Sequence, residues 1–289
     1  MIELFIFLLM IFFLAIASYT DALKREVPDW LNYSAIALAF FLRIMWSINT
    51  SDWHYFIYGF IGFVIFFLIG CGMYYLGQWG GGDAKLMMAL GMFLGIEVSI
   101  NNDGVMFLSN LLIVSLLYSL AFLFYLFIKN IKNVIKKYSE FINNEQKMYR
   151  GIFMLMFFFA IVNLFLPLSF TTKALFFIVL TSPALYYFSI FTRSIEICCM
   201  QRLVDPKELT EGDWIVNDVN INGKKIYSVK DLGVSKQQIK ELIKLKKQKK
   251  INNVLMKVGI PFIPCFFLTF IVNLYFGNLL VKLFELLLR

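Results

Sequence analysis

Apolar runs long enough to cross a bilayer recur along the chain, near residues 2 to 19, 30 to 48, 55 to 77, 84 to 99, 105 to 128, 151 to 170, 174 to 192 and 258 to 276. A helix rising 1.5 Å per residue needs about 20 residues to cover a hydrocarbon core of ~30 Å. The eight runs predict an all-α polytopic membrane protein of six to eight transmembrane helices, with eight preferred. The run at 84 to 99 is short for a span, and the two runs flanking Thr171 are tightly connected. The first run has no basic segment before it, so it reads as a permanent span rather than a cleaved leader.

Two polar segments interrupt this pattern. Residues 129 to 150 mix Lys132, Lys136 and Lys137 with Ile131, Ile135 and Phe141. That spacing suits a basic amphipathic helix along anionic headgroups, and equally a solvated continuation of the preceding span. Residues 193 to 257 predict a small α+β insertion. Its strands at 214 to 219 and 225 to 229 flank Asn222-Gly223, a type I′ hairpin signal, and Ser235 to Gln238 opens a Lys-rich helix running to about Lys250. Such an insertion is too small to bury much core alone and is expected to pack on the membrane portion or a partner. The domain reading is therefore 1 to 192 as a membrane core, 193 to 257 as the insertion, and 258 to 289 as a last span and tail. The last span is entered through Gly259-Ile-Pro-Phe-Ile-Pro264, where two prolines predict an extended or kinked approach.

Composition sharpens the class. With 60% hydrophobic residues, 33 Phe and a mean hydropathy of +0.73, the chain is excluded from the soluble globular class. The formal charge of +8 does not point to nucleic acid, because it gathers in particular loops. Lys24 and Arg25, residues 129 to 150 and residues 193 to 257 are basic, whereas the loops near Asp52, Asp103 and Thr171 are almost free of positive charge. Basic loops face the cytoplasm. This predicts an integral cell-membrane protein with its N-terminus outside, in contact with membrane lipid and with no nucleic-acid partner. Cys71, Cys198, Cys199 and Cys265 show no CxxC spacing, and the chain has one His, so neither a zinc site nor any other cofactor is predicted.

The same orientation puts two acids on one face. Asp21 ends the first span, and Asp83 follows Gly80, Gly81 and Gly82 at the start of another. An Asp at mid-bilayer costs roughly 2.5–3.5 kcal/mol on insertion scales, so an acid near a span needs hydration, a partner or a task. Alone, Asp83 reads as an N-cap, and Asp21 as a helix-end hydrogen bonder or a partner for Lys24. Together, at one membrane boundary, they read as a carboxyl pair of which one member keeps a proton. Such a pair hydrolyses peptides without metal or covalent nucleophile. The glycines are expected to permit left-handed or strained backbone in a mobile loop and close approach of substrate. The helix N-terminus is expected to favour ionised Asp83, with Lys85 adding to that field or snorkelling to phosphates. A proton- or ion-coupled carrier would want its acids near the midplane.

In these residues the chain resembles the type IV prepilin peptidases and archaeal preflagellin peptidases, membrane aspartyl proteases of the GxGD class. Asp21 with Lys24, Arg25, Val27 and Pro28 resembles the family's first catalytic Asp and its downstream Val-Pro, and Gly80 to Leu86 resembles its GxGDxKL motif. The Ile260 to Pro264 entry resembles archaeal members. The resemblance implies that Asp21 and Asp83 are catalytic. It further implies that precursor pilins or archaellins are cleaved on the cytoplasmic side, after a short basic leader. Bifunctional bacterial members carry paired CxxC motifs after the first span and methylate the new terminus; here only a short loop follows Asp21, so peptidase activity alone is carried over. A related alternative is an intramembrane protease of the presenilin or signal-peptide-peptidase type, and an unrelated one is an ion-coupled carrier.

Overall fold

The computed structural model of the protein describes residues 2–100, 102–144, 151, 154, 157, 158, 161, 170–221, 224–229 and 231–288. The expected run at 151 to 170 and the Asn222-Gly223 turn fall largely or wholly outside them. The first apolar runs fold as α1 (Ile2–Lys24), α2 (Asp29–Thr50), α3 (His54–Tyr75), α4 (Gly81–Leu94) and α5 (Asp103–Lys129). Four described helices, α1, α2, α3 and α5, are long and apolar enough to cross a membrane. A fifth crossing is possible if α9 (Ile263–Phe276) and α10 (Leu279–Leu287) form one span, although they are bent by 58° at Gly277-Asn278. Large apolar side chains such as Phe12, Leu68 and Leu116 remain exposed on the spanning helices, as lipid-facing surfaces require.

The predicted run at 84 to 99 differs most from expectation. Its helix, α4, has 14 residues and so reaches about 21 Å, too short to cross. It is nevertheless deeply buried, from Ala84 through Leu94. Small residues make this possible: a Cβ on Gly62 of α3 would collide with the Gly91 carbonyl of α4, and one on Gly70 would lie 3.1 Å from the Ala84 carbonyl. Close backbone approach of this kind is how helices pack when lipid supplies no hydrophobic drive. Phe66 of α3, Phe107 of α5 and Phe266 of α9 complete the surrounding core.

The C-terminal end of α4 is satisfied by a buried cation that hydropathy alone does not reveal. Arg43 of α2 is 5% exposed. Its guanidinium donates to the carbonyls of Met92 (3.1 Å), Phe93 (2.7 Å) and Tyr55 (2.8 Å), and it lies 4.0 Å from the Tyr55 ring centroid. Carbonyls of a last helical turn otherwise have no partner, and a planar five-donor fork is suited to several at once.

The chain divides into two compact units, Met1–Leu120 with Val204–Arg289, and Ala121–Leu203. In the second, α6 (Ile131–Asn144) carries the predicted amphipathic stretch, and α7 (Phe170–Cys199) continues through Thr171 as helix, so no loop separates Thr171 from the second of its flanking runs. Phe191 of α7 meets Phe127 and Tyr138.

The insertion has a core of its own, built on Tyr227, Leu242, Ile215, Met256 and Val204. Its strands are β1 (Gln201–Val204), β2 (Trp214–Ile215), β3 (Val219–Ile221), β4 (Lys224–Tyr227) and β5 (Val254–Lys257), and its helix is α8 (Lys236–Lys247). The expected capping box is present: Ser235 Oγ accepts from Gln238 N–H, and Gln238 Oε1 accepts from Ser235 N–H. The hairpin is shorter than predicted. β3 pairs antiparallel with β4, Ile221 opposite Lys224, but Trp214-Ile215 leaves that ladder to pair with β5. The unpredicted β5 buries Val254 and Met256 in alternation, which lets Ile215 join the same apolar layer.

Replacing Arg43 by Leu strands buried carbonyls, each costing about 1–3 kcal/mol. The expected outcome is a clearly lower thermal unfolding midpoint in detergent micelles, with Arg43→Lys recovering only part of it. An Arg43→Leu midpoint equal to wild type would contradict this account of the α4 terminus.

Candidate active site

Two interlocked loops build the site. α1 ends when Arg25 turns left-handed (φ 60°), with its N–H on the Asp21 carbonyl at 2.9 Å. Val27-Pro28 follows, and the Pro28 carbonyl accepts from Leu31 and Asn32 at the start of α2. On the other side, α3 closes with Gly77 at φ 67°. The Gly77 N–H bonds the Tyr74 carbonyl (2.9 Å) and the Gln78 N–H that of Met73 (2.9 Å), the paired bonds of a helix ended by a left-handed residue. The chain then passes buried Trp79 to Gly80 and enters α4.

Val27 and Gly82 are the point of contact between the two loops. A Cβ on Gly82 would lie 3.1 Å from Val27 Cβ. Asn32 Nδ2 donates to the Gly82 carbonyl (3.3 Å), and Lys85 pairs with Asp29 while lying 5.1 Å from the Tyr33 ring centroid. Lys85 therefore ties α4 to α2, rather than standing as a free cation or as the partner of Asp83. The glycines also differ from expectation. Among Gly80, Gly81 and Gly82 none has positive φ, and Gly81 and Gly82 are already helical. Their triplet is the N-terminus of a packed helix and not a loop; the left-handed glycine is Gly77.

The two acids are held differently. Asp21 is 6% exposed, and its Oδ2 accepts the Ile263 N–H at 3.0 Å. Ile263 is the first residue of α9, directly after the Pro261-Phe262 approach. Asp83 lies in the first turn of α4, outside the spanning helices, and its Oδ2 accepts the Gly80 N–H at 2.9 Å, the acidic half of a capping box. The helix-end field was expected to keep Asp83 ionised, but burial wins: it pushes the Asp83 carboxyl up to about 7, the charge on Asp21 adds to the rise, and the Gly80 N–H opposes both. Trp79 joins the two halves, its ring 5.5 Å from Phe262 and 5.2 Å from Phe266.

The structure thus brings Asp21, Asp83, Gly80, Gly82 and Lys85 into one region, with Gly81 3.9 Å, as a built Cβ, from the Tyr74 ring. Sequence reading did not find Ile263, Trp79 or Asn32. The prolines at 261 and 264 were the available signal for Ile263, because they leave few backbone N–H groups at that helix entry. Among the described residues no three His, Cys, Asp or Glu gather as a metal site.

The segment that carries both acids also carries a family match: residues 8–129, from α1 to the end of α5, match the type IV leader peptidase family. The resemblance read from the two motifs therefore holds over these helices. More particularly, 81 residues are 36% identical to the preflagellin peptidase of Methanocaldococcus jannaschii. That match covers 28% of this chain and 34% of the relative, so it spans about a third of that protein's length. No solved structure matches the chain.

The contact between the loops generates a test. Gly82→Ala should press on Val27 Cβ and cost on the order of 1 kcal/mol or more, and Val27→Gly, which removes that Cβ, should relieve it. Thermal unfolding of the two single variants and the double variant should show non-additivity; strictly additive effects would mean that these residues do not meet.

Proposed function

We propose that the protein is a membrane aspartyl endopeptidase that removes the short basic leader of prepilin or preflagellin precursors at the cytoplasmic membrane face. The observation that carries this reading is the placing of the acid pair: Asp21 and Asp83 lie close enough for the charge on Asp21 to act on Asp83, and each is held by an amide from a different helix entry, Ile263 of α9 and Gly80 before α4. Carboxyls in unlike environments divide into a base and an acid. The family match over residues 8–129 supports the reaction class, and the named activity of the partial relative supports the substrate class. The basic loops support an external N-terminus and a cytoplasmic site, and the absence of paired CxxC motifs after Asp21 fits a peptidase that does not transfer methyl groups.

In this mechanism ionised Asp21 takes a proton from water, and the resulting hydroxide attacks the scissile carbonyl carbon. Asp83 gives its proton to the carbonyl oxygen, forming a neutral tetrahedral diol. Collapse returns a proton to Asp83 and passes the one held by Asp21 to the leaving amine, which restores both acids. The Ile263 N–H stabilises the ionised form of Asp21 before the attack and after its proton has passed to the amine. Lys85, paired with Asp29, keeps α4 against α2 and does not touch the reacting atoms.

Asp21→Asn and Asp83→Asn should each lower cleavage of a precursor pilin by roughly 10²–10⁴-fold, the usual weight of a general acid or base, while the protein stays folded in the membrane. Asp21→Asn with normal activity would sink the assignment. Mass spectrometry of the products should place the cut before the substrate's apolar helix; a cut inside it would mark the intramembrane type instead.

The pH dependence has a definite sign. The proton on Asp83 is present below about 7 and is lost as pH rises through that value. The kcat/KM of the protein should therefore fall with one-proton dependence above about 7. A kcat/KM that rises through the same range would contradict the acid role of Asp83.

A further inference from the structure

The insertion lies outside the segment shared with the leader peptidase family, yet one of its ladders is joined to the supports of both acids. β2 and β5 pair with Trp214 opposite Lys257 and Ile215 opposite Met256, and the Val216 N–H bonds the Leu255 carbonyl at 2.9 Å. At one end of that ladder the Trp214 indole lies on Gly77. Its Cη2 is 2.9 Å from the place a Cβ would occupy, so only glycine admits the ring, and Gly77 also needs its left-handed φ. Gly77 begins the turn to Trp79 and Gly80, whose N–H holds Asp83.

The other strand of the ladder leads to the other acid. From Lys257 the chain runs through Gly259 and Pro261 to Ile263, whose N–H holds Asp21. This connector is itself fixed: the Tyr118 hydroxyl donates to the Pro261 carbonyl at 2.8 Å, and Phe262 packs on Trp79. Two hydrogen-bonded strands thus end on the segments that supply the Gly80 and Ile263 amides.

We propose that the β2–β5 ladder positions the acid pair, with Trp214 as the positioning residue that sets the turn before Asp83 against the strand that leads to Asp21. The insertion is then part of the catalytic apparatus without touching substrate atoms. The catalytic consequence rests on the peptidase reading; the coupling of the two amides does not. Misplacing a catalytic group by about an ångström costs up to roughly 10²-fold in rate, so a side chain that fixes such a turn acts mainly on kcat.

The full-length protein in lipid nanodiscs supplies both tests. Hydrogen exchange of the Gly80 and Ile263 amides should be at least about tenfold faster in Trp214→Ala, with the Leu86 to Leu90 amides of α4 unchanged and with near wild-type protection in Trp214→Phe. On a precursor pilin, Trp214→Ala should lose about ten- to hundredfold in kcat with KM within about twofold, and should move the upper limb of the pH profile. Faster exchange at neither amide or at only one, or an unchanged kcat and pH limb beside an active wild type, overturns the proposal. An inactive wild type overturns the peptidase reading, and the exchange arm then still decides the coupling.

Discussion

A helix of 14 residues embedded among spanning helices cannot bring both of its ends to water, and the rest of the structure answers that constraint. About 21 Å of helix leaves orphan carbonyls at one end and orphan amides at the other. Arg43 meets the carbonyls at the C-terminal end. At the N-terminal end the acid of the first turn meets the Gly80 amide, and that acid is Asp83. The residue read as catalytic is thus also the one that completes the buried helix. The glycines of α3 serve the same end by letting α4 sit at backbone distance from its neighbour.

Placing a carboxyl at such a helix start would ordinarily favour its ionised form. Here the field of one helical turn is outweighed by exclusion of water and by a second carboxyl whose charge reaches it. Asp21 has its own amide, on a different helix. The difference between the two acids therefore does not come from the acids themselves, which are chemically identical, but from what each faces. This is why the supports of the two amides, rather than the carboxyls alone, decide how the pair is poised.

Much of this was legible in the sequence and some was not, for physical reasons that differ by residue. The runs that became α1, α2, α3 and α5 were visible because lipid demands long continuous apolar stretches. The Asp21 and Gly80 to Asp83 motifs were visible because acids are costly beside such stretches. The shortness of α4 was hinted at by its length, but its burial was not, because hydropathy does not separate a span from a buried stub. Arg43 sits inside an apolar run and its role depends on carbonyls some fifty positions later. The glycine triplet suggested a left-handed turn, yet the left-handed residue is Gly77; local composition marked the region and not the residue. In the insertion, Asn222-Gly223 announced a hairpin, whereas the departure of Trp214 to β5 depends on a strand of four residues with no turn signal of its own.

The Ile263 amide reaches Asp21 across 242 positions of sequence. Asp21 leaves the ribosome 242 positions ahead of Ile263, so the site has an order of construction. During synthesis α1 to α5 can pack, α4 can be capped by Arg43, and the insertion can fold on its own core, all while Asp21 still lacks its amide. Only the arrival of α9 supplies that donor, and non-local contacts of this range are the slow ones to form. A nascent chain that carries both acids but not yet α9 therefore lacks the donor that holds Asp21.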